Sequence, residues 1–223
     1  ITMLKEYLEK SAIGAFNLDS FEILRAVCLA AKKLNSPVIV EVSPGELDYL
    51  KMPNVASLVD NARREFDIPI FLNLDHAEDL DVIKKALDFG FDLVHFDGSK
   101  LPLEENIAKA KQVVSWAHAK NILVEGEMDP IGGRFTDPAS AKSFVESTGV
   151  DIFAVSIGND HGVSDHEGID LDLLRKIKEV LPNQKFSLHG GSGIPAEQIK
   201  QAINLGVVKV NINSELRMTW KKS

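Results

Sequence analysis

The sequence predicts an α/β protein, a single (β/α)₈ barrel over residues 1–223, and three observations predict it. Short β-branched apolar runs alternate with longer amphipathic patterns along the chain. Eight such runs occur, at 12–17, 37–43, 69–75, 93–98, 122–128, 152–158, 185–190 and 207–213. The third to the eighth run each end in polar residues or glycine, so their ends converge on one rim. In a barrel that rim is the C-terminal face, where such folds keep their chemistry.

The elements follow in order. The first run ends in Asn17–Leu18–Asp19–Ser20. It lacks the Gly-rich phosphate loop that a doubly wound open sheet would need there. Ser20 is a start signal for a helix over 20–34. The third run leads into a helix over 78–88, with Gly90 where it should stop, and the fourth into one over 103–119, with Pro102 at its first turn. Pro195 suits the start of the helix after the seventh run, and Gly206 stops that helix before the eighth.

Of the 223 residues, 44% are hydrophobic and 26% charged, an ordinary globular balance that needs no disulfide. A net charge of −8 argues against a general nucleic-acid binder. It leaves room for an anionic small molecule, because local backbone dipoles override a global field. No run reads as a membrane span or a secretory signal. The lone cysteine, Cys28, lies in a helical pattern, and a cytoplasmic location is expected. The chain starts at Ile1, so a preceding segment is expected.

Three of the six histidines sit at or just after strand ends: His76, His161 and His189. Each alone reads as a hydrogen-bonded loop histidine. Three on one rim read as a catalytic metal set, three imidazoles with an open position, able to hold Zn²⁺. His95 shares strand parity with Asp97 and is expected to pack inside the barrel, while His118 and His166 read as surface residues. Asp97 and Glu127 end neighbouring strands and are candidates for a second divalent ion. Glu125 shares parity with Glu127, and two inward carboxylates need a counter-charge, for which Lys209 has the right parity.

His189–Gly190–Gly191–Ser192–Gly193 opens a helix and suits a phosphate, with Asn211, Ile212, Asn213 and Ser214 completing the cradle from the next strand. Asp75, beside His76, reads either as a general acid/base or as an orienter of a histidine.

The chain resembles the class II, zinc-dependent fructose- and tagatose-bisphosphate aldolases. The resemblance rests on Asn73–Leu74–Asp75–His76, Asp97–Gly98–Ser99 through Asn106, Glu125–Gly126–Glu127, Ile157–Gly158–Asn159–Asp160–His161–Gly162, His189 to Gly193 and Val210 to Leu216, in order along nearly the whole chain. It implies that His76, His161 and His189 hold the catalytic zinc and that Asp75 is the acid/base. It implies that Gly162, Gly190, Gly191, Ser192 and Asn211 to Ser214 bind the dihydroxyacetone-phosphate moiety. Asp97 and Glu127 would hold a second ion, a monovalent cation would sit near the phosphate, and Asn17 and Ser43 would lie near the substrate. It also implies a homodimer or homotetramer acting on a small phosphorylated sugar, with no nucleic acid or membrane partner.

Two departures stand out. Family members carry a long acidic loop, with the proton-abstracting glutamate, where Gly132–Gly133 here runs straight into Arg134–Phe135. Either that loop is deleted or a mobile lid is missing near 133–135, and we expect the lid. We also expect a C-terminal tail beyond Ser223. A metallohydrolase and a non-catalytic phosphosugar-binding barrel are the competing readings.

Overall fold

The computed structural model describes residues 3–160, 162 and 168–222. Eight parallel strands close into a barrel in chain order. They are β1 (Ile13–Asn17), β2 (Val38–Val42), β3 (Ile70–Ala77), β4 (Leu93–Asp97), β5 (Leu123–Glu127), β6 (Ile152–Ala154), β7 (Lys185–Leu188) and β8 (Val207–Ile212). The helices are α1 (Met3–Leu8), α2 (Phe21–Leu34), α3 (Pro44–Leu50), α4 (Met52–Phe66), α5 (Leu80–Asp88), α6 (Leu103–His118), α7 (Pro138–Thr148), α8 (Leu171–Val180), α9 (Ala196–Asn204) and α10 (Ser214–Lys222). The expected (β/α)₈ barrel is the fold observed.

Two apolar clusters hold it. The larger lies between the strands and the outer helices, where Phe66, Phe91, Phe144, Phe153 and Phe186 are buried. The smaller fills the N-terminal half of the barrel with Ile13, Ala15, Ile39, Phe71, Leu93, Leu123 and Ile152. Leu4 and Leu8 of α1 close it from below. Halfway along the strands the interior turns polar: Glu41, Asn73, His95, Glu125, Ser187 and Lys209 are all fully buried. Alternation along each strand therefore sends apolar residues inward at one level and ionisable ones at the next.

Local signals explain most boundaries. The Ser20 hydroxyl accepts from the Ile23 N–H at 3.3 Å and caps α2. Gly90 and Gly206 have φ of 75° and 104°, a region open to glycine, just beyond α5 and α9. The strand expected over 152–158 is shorter than its sequence suggests. Past Val155, whose N–H still donates to Ser187 O of β7 at 3.4 Å, the ladder gives way to bonds to the β5–α7 connection, with Ser156 N–H donating to Thr136 Oγ1 at 3.0 Å and Thr136 N–H to Ser156 O at 2.8 Å. His118 is not merely solvated, since its Nε2 lies 2.8 Å from Asp151 Oδ2. His166 falls outside the described residues. Among the described residues no helix is long and apolar enough to cross a membrane.

Candidate active site

The site begins with an irregularity in β3. Regular alternation would point Asn73 and Asp75 into the barrel and His76 away from it. The pairing of β3 with β4 shifts register between Leu74 and Ala77, and His76 adopts φ 46°. This bulge turns His76 to the same side as Asp75. A left-handed backbone costs a non-glycine residue about 1–2 kcal/mol. The His76 N–H donates to His95 Nδ1 at 3.2 Å, which helps to hold the turn.

Three imidazoles meet there. Ring centroids of His76 and His95 are 4.6 Å apart, those of His76 and His189 4.6 Å, and those of His95 and His189 4.9 Å. Donor atoms of Asp75, His76, His95 and His189 lie within 4.8 Å of one another, as do those of His76, Asp97 and Glu127. Buried nitrogen and carboxylate donors packed this way suit a divalent cation such as Zn²⁺. Glu127 Oε2 is buried without a hydrogen bond, yet it faces His76 Nδ1 at 3.4 Å and His95 Nε2 at 3.3 Å, as an oxygen awaiting a cation would. Asp97 Oδ2 reaches the same His76 Nδ1 at 3.1 Å. The two carboxylates expected to hold a second ion thus share the His76 ring. His161 lies outside the described residues. His95 is fully buried as expected, and it stands in the cluster itself.

The surroundings fix the ligands. His189 Nε2 lies 2.6 Å from Glu125 Oε1, and Asn211 Nδ2 lies 3.2 Å from His189 Nδ1. The carboxylate takes the Nε2–H, so Nδ1, which accepts from the Asn211 amide, is the ring's lone-pair atom toward the site. Burial pushes the His189 imidazole down to about 4, so it is the neutral form that a metal needs. Asn159, fully buried, donates to the His189 carbonyl at 3.0 Å, and Asn106 to the Glu127 carbonyl at 2.9 Å. Both amides pin strand ends that carry site residues.

Beneath the cluster, Lys209 Nζ lies 2.9 Å from Glu125 Oε2, the pairing expected from parity. It also reaches Glu41 Oε2 at 3.2 Å and Asp75 Oδ1 at 3.8 Å. Burial alone would lower the Lys209 ammonium, but the three carboxylates outweigh it and raise it further. Burial opposes ionisation of Asp75 too, and His76, His95, Lys209 and His189 together pull it well below the usual carboxylate range. Burial, with Asp75 adding to it, pushes Glu41 up to about 7 against Lys209 and Asn73. Sequence reasoning missed Glu41. The signal was present, since a glutamate in the run Val38–Ile39–Val40–Glu41–Val42 shares parity with the interior Ile39.

Above the cluster lies a cavity of about 350 Å³. From β7 and β8 it is lined by His189, Gly190, Ser192, Asn211, Asn213 and Ser214, from β3 by Asp75 and His76, and it also touches Gly162. A Cβ on Gly190 would stand 1.9 Å from the Asp160 carbonyl oxygen, and one on Gly191 2.8 Å from the Asn211 carbonyl oxygen, so both positions need glycine. Gly191 N–H donates to Asn211 O at 2.8 Å and Glu215 N–H to Ser192 Oγ at 3.2 Å, which ties the two loops into one cradle. Ile212 packs on the outer core, so its side chain does not enter the cavity. Asn17 and Ser43, at the ends of β1 and β2, also line it, together with Glu46 and Arg217, which sequence reasoning did not single out.

The family model described as fructose-bisphosphate aldolase class-II matches residues 2–223. The chain belongs to this family. Among its relatives, the fructose-bisphosphate aldolase of Streptococcus pneumoniae serotype 4 is 41% identical over 223 residues, which cover 94% of this chain and 75% of that protein. The fructose-bisphosphate aldolase of Streptococcus pyogenes serotype M1 is 39% identical over 226 residues, covering 95% and 76%. The YdjI aldolase from Escherichia coli K12 superposes with a TM-score of 0.86 at 30% identity, over 98% of this chain and 81% of that one. The fructose-bisphosphate aldolase from Campylobacter jejuni gives 0.84 at 26% identity, over 98% and 75%.

As a class II aldolase family member, the chain is a lyase with a phosphorylated sugar as its class of substrate and a metal-dependent site. Its β5–α7 connection is short. Gly132 N–H donates to Asn159 O at 3.1 Å, and the carboxylates of that connection are Asp129 and Asp137. Asp137 caps α7, and neither lines the cavity.

Proposed function

We propose that the protein is a zinc-dependent class II aldolase that reversibly cleaves a ketose 1,6-bisphosphate, fructose 1,6-bisphosphate or tagatose 1,6-bisphosphate, to dihydroxyacetone phosphate and glyceraldehyde 3-phosphate. The observation that carries this reading is the placing of Asp75 and the imidazole cluster against the Gly190–Ser192 cradle in one cavity. His76, His161 and His189 would hold the zinc, which when bound supplies a Lewis acid for the substrate carbonyl. The cradle of Gly190, Gly191, Ser192 and Asn211 to Ser214 orients the 1-phosphate through backbone N–H and side-chain donors, with a monovalent cation beside it. Asp75 holds and returns the proton of the hydroxyl that becomes the aldehyde oxygen. The ion-paired floor around Lys209 keeps these groups in register.

Asp97 and Glu127 on His76 support a second divalent ion. The free, buried Cys28 supports a cytoplasmic setting, and the fructose-bisphosphate aldolase family supports a glycolytic one. A single barrel domain in a homodimer or homotetramer follows from the family resemblance. The short β5–α7 connection, which contributes no carboxylate to the cavity, favours one rival, a phosphosugar-binding barrel without turnover. Two measurements decide between them: bound metal per chain for wild type and His161→Ala, and chelator-sensitive release of triose phosphates. Loss of metal and turnover together supports the aldolase. Full activity in His161→Ala sinks the zinc assignment, and ligand binding with no turnover in the metal-loaded protein favours the rival.

A further inference from the structure

One end of the cavity already holds a carboxylate of the chain itself. The β7 and β8 loops take the 1-phosphate, and Asp75 on β3 serves the bond that breaks. The aldehyde half of a ketose must then extend toward β1 and β2, where Asn17, Ser43 and Glu46 line the cavity. Glu46 Oε2 accepts from the Ser43 N–H at 2.6 Å, while the Ser43 hydroxyl accepts from the Glu46 N–H at 3.3 Å, a complete capping box on α3. Asn17 Nδ2 lies 3.3 Å and 3.4 Å from the two Glu46 oxygens. Two strand-end donors that could hold an anion here, the Ser43 N–H and the Asn17 amide, are therefore turned onto Glu46.

The charge balance points the same way. The Asp19 carboxyl adjoins Glu46. Among the described lining residues, Arg217 is the cation of the cavity, and its Nε lies 3.3 Å from Asp19 Oδ2. A phosphate dianion entering this end would meet the Glu46 and Asp19 carboxylates and two donors already engaged, and such like-charge contacts weaken its binding relative to that of a hydroxyl. A hydroxyl would instead donate to Glu46. Beyond Glu46 the cavity continues into an open groove of about 780 Å³ that shares Ser43, Glu46 and Arg217 with it. Lys221 lines this groove further out, and Tyr49 and Trp220, 84% and 50% exposed, offer rings to the C–H faces of a sugar chain.

We infer that Glu46 determines specificity at the aldehyde end and gives the enzyme a further activity, the cleavage and formation of ketose 1-phosphates whose aldehyde half carries free hydroxyls and no phosphate. This rests on the aldolase reading above. The chemistry balances without another reactant. The C3–C4 bond breaks, its electron pair stays with C3, which takes up a proton, and the C4 hydroxyl loses its proton as the aldehyde carbonyl forms. The products are dihydroxyacetone phosphate and an unphosphorylated polyhydroxy aldehyde.

The test compares kcat/KM for fructose 1-phosphate and fructose 1,6-bisphosphate in the metal-loaded full chain, for wild type, Glu46→Gln and Glu46→Ala. Burial, with Asp19 adding to it, pushes the Glu46 carboxyl up to about 7 against the Ser43 N–H and Asn17. An assay near pH 8.5 therefore keeps it ionised. Glutamine also completes a capping box, so Glu46→Gln keeps α3. The expected result is that wild type turns over fructose 1-phosphate at least as well as the bisphosphate. Glu46→Gln shifts the ratio toward the bisphosphate by about tenfold or more, chiefly through KM. A ratio within about twofold of wild type in Glu46→Gln overturns the inference. So does a wild type that cleaves the bisphosphate and leaves fructose 1-phosphate untouched. If neither ketose is cleaved, the aldolase reading itself has failed. Calorimetric affinities of hexitol 1-phosphate and hexitol 1,6-bisphosphate for wild type and Glu46→Gln, judged by the same limits, then decide the Glu46 assignment.

Discussion

Lys209 Nζ lies 2.9 Å from Glu125 Oε2, both side chains fully buried in the barrel, and the same Glu125 binds His189 Nε2 through its other oxygen at 2.6 Å. One carboxylate therefore joins the structural cation of the floor to an imidazole of the metal cluster.

Removing that cation should be costly. Lys209→Met leaves Glu125, Glu41 and Asp75 without their counter-charge, and breaking a buried pair this way costs about 3–5 kcal/mol. Denaturant unfolding of the variant should show this loss, and an unchanged midpoint would remove the pairing from the account. Lys209 is held as an ammonium by its three carboxylates, so it cannot serve as a Schiff-base nucleophile. Borohydride with dihydroxyacetone phosphate should therefore trap no adduct by mass spectrometry.

Asp75 should matter to turnover more than to the fold. Its Oδ1 is 3.5 Å from His95 Nδ1 and 3.4 Å from Asn211 Nδ2, contacts an amide of the same shape can partly keep. Asp75→Asn should lower kcat by about 10²–10⁴-fold. The melting temperature and bound metal should stay near wild type. A kcat within about threefold of wild type would leave Asp75 as an orienter only.

Gly190→Ala should damage the phosphate cradle. The position has φ 60° and its Cβ would meet the Asp160 carbonyl oxygen at 1.9 Å. The backbone conformation alone costs about 1–2 kcal/mol. The cradle must also move away from His189. KM for a phosphorylated ketose should rise, and inorganic phosphate should inhibit the variant less than wild type. Equal inhibition of the two would separate this turn from phosphate binding.

Cys28 should be inert in the native protein. It is fully buried, and burial pushes its thiol up to about 11, with Glu65 adding and Arg25 opposing. Iodoacetamide at pH 8 should label it only after unfolding. The linkage sign follows. An unfolded thiol loses its proton near about 8.5 while the folded one keeps it. Its stabilising contribution is thus full below about 8.5 and is lost as pH rises toward 11. Cys28→Ala should flatten that part of the pH–stability curve, and an unchanged slope between pH 8 and 10 would contradict the assignment.

Much of this protein was legible along the chain, because the deciding physics is local. Alternation within a strand set the inward parity of Asp75, His95, Glu125 and Lys209. Capping at Ser20, and Gly90 just beyond α5, marked helix ends within a residue or two. The polar strand ends could be placed on one rim once eight units were counted, and the Lys209–Glu125 pair followed from parity and charge.

Only the closed structure decided the rest. His76 faces the site because a bulge and a left-handed backbone override the alternation that would have turned it outward. Asp97 and Glu127 converge on the His76 ring, and Glu41 on β2 reaches Lys209 on β8, two places round the barrel, because closure brings inward side chains of different strands to one level. Glu46, the third residue of α3, drew no attention along the chain. Its role at the mouth appears only where the end of β1 brings Asn17 against it. Sequence carries the period of each element and hence which side chains point inward. Which of those side chains touch depends on strand register, bulges and closure, and those belong to the tertiary fold.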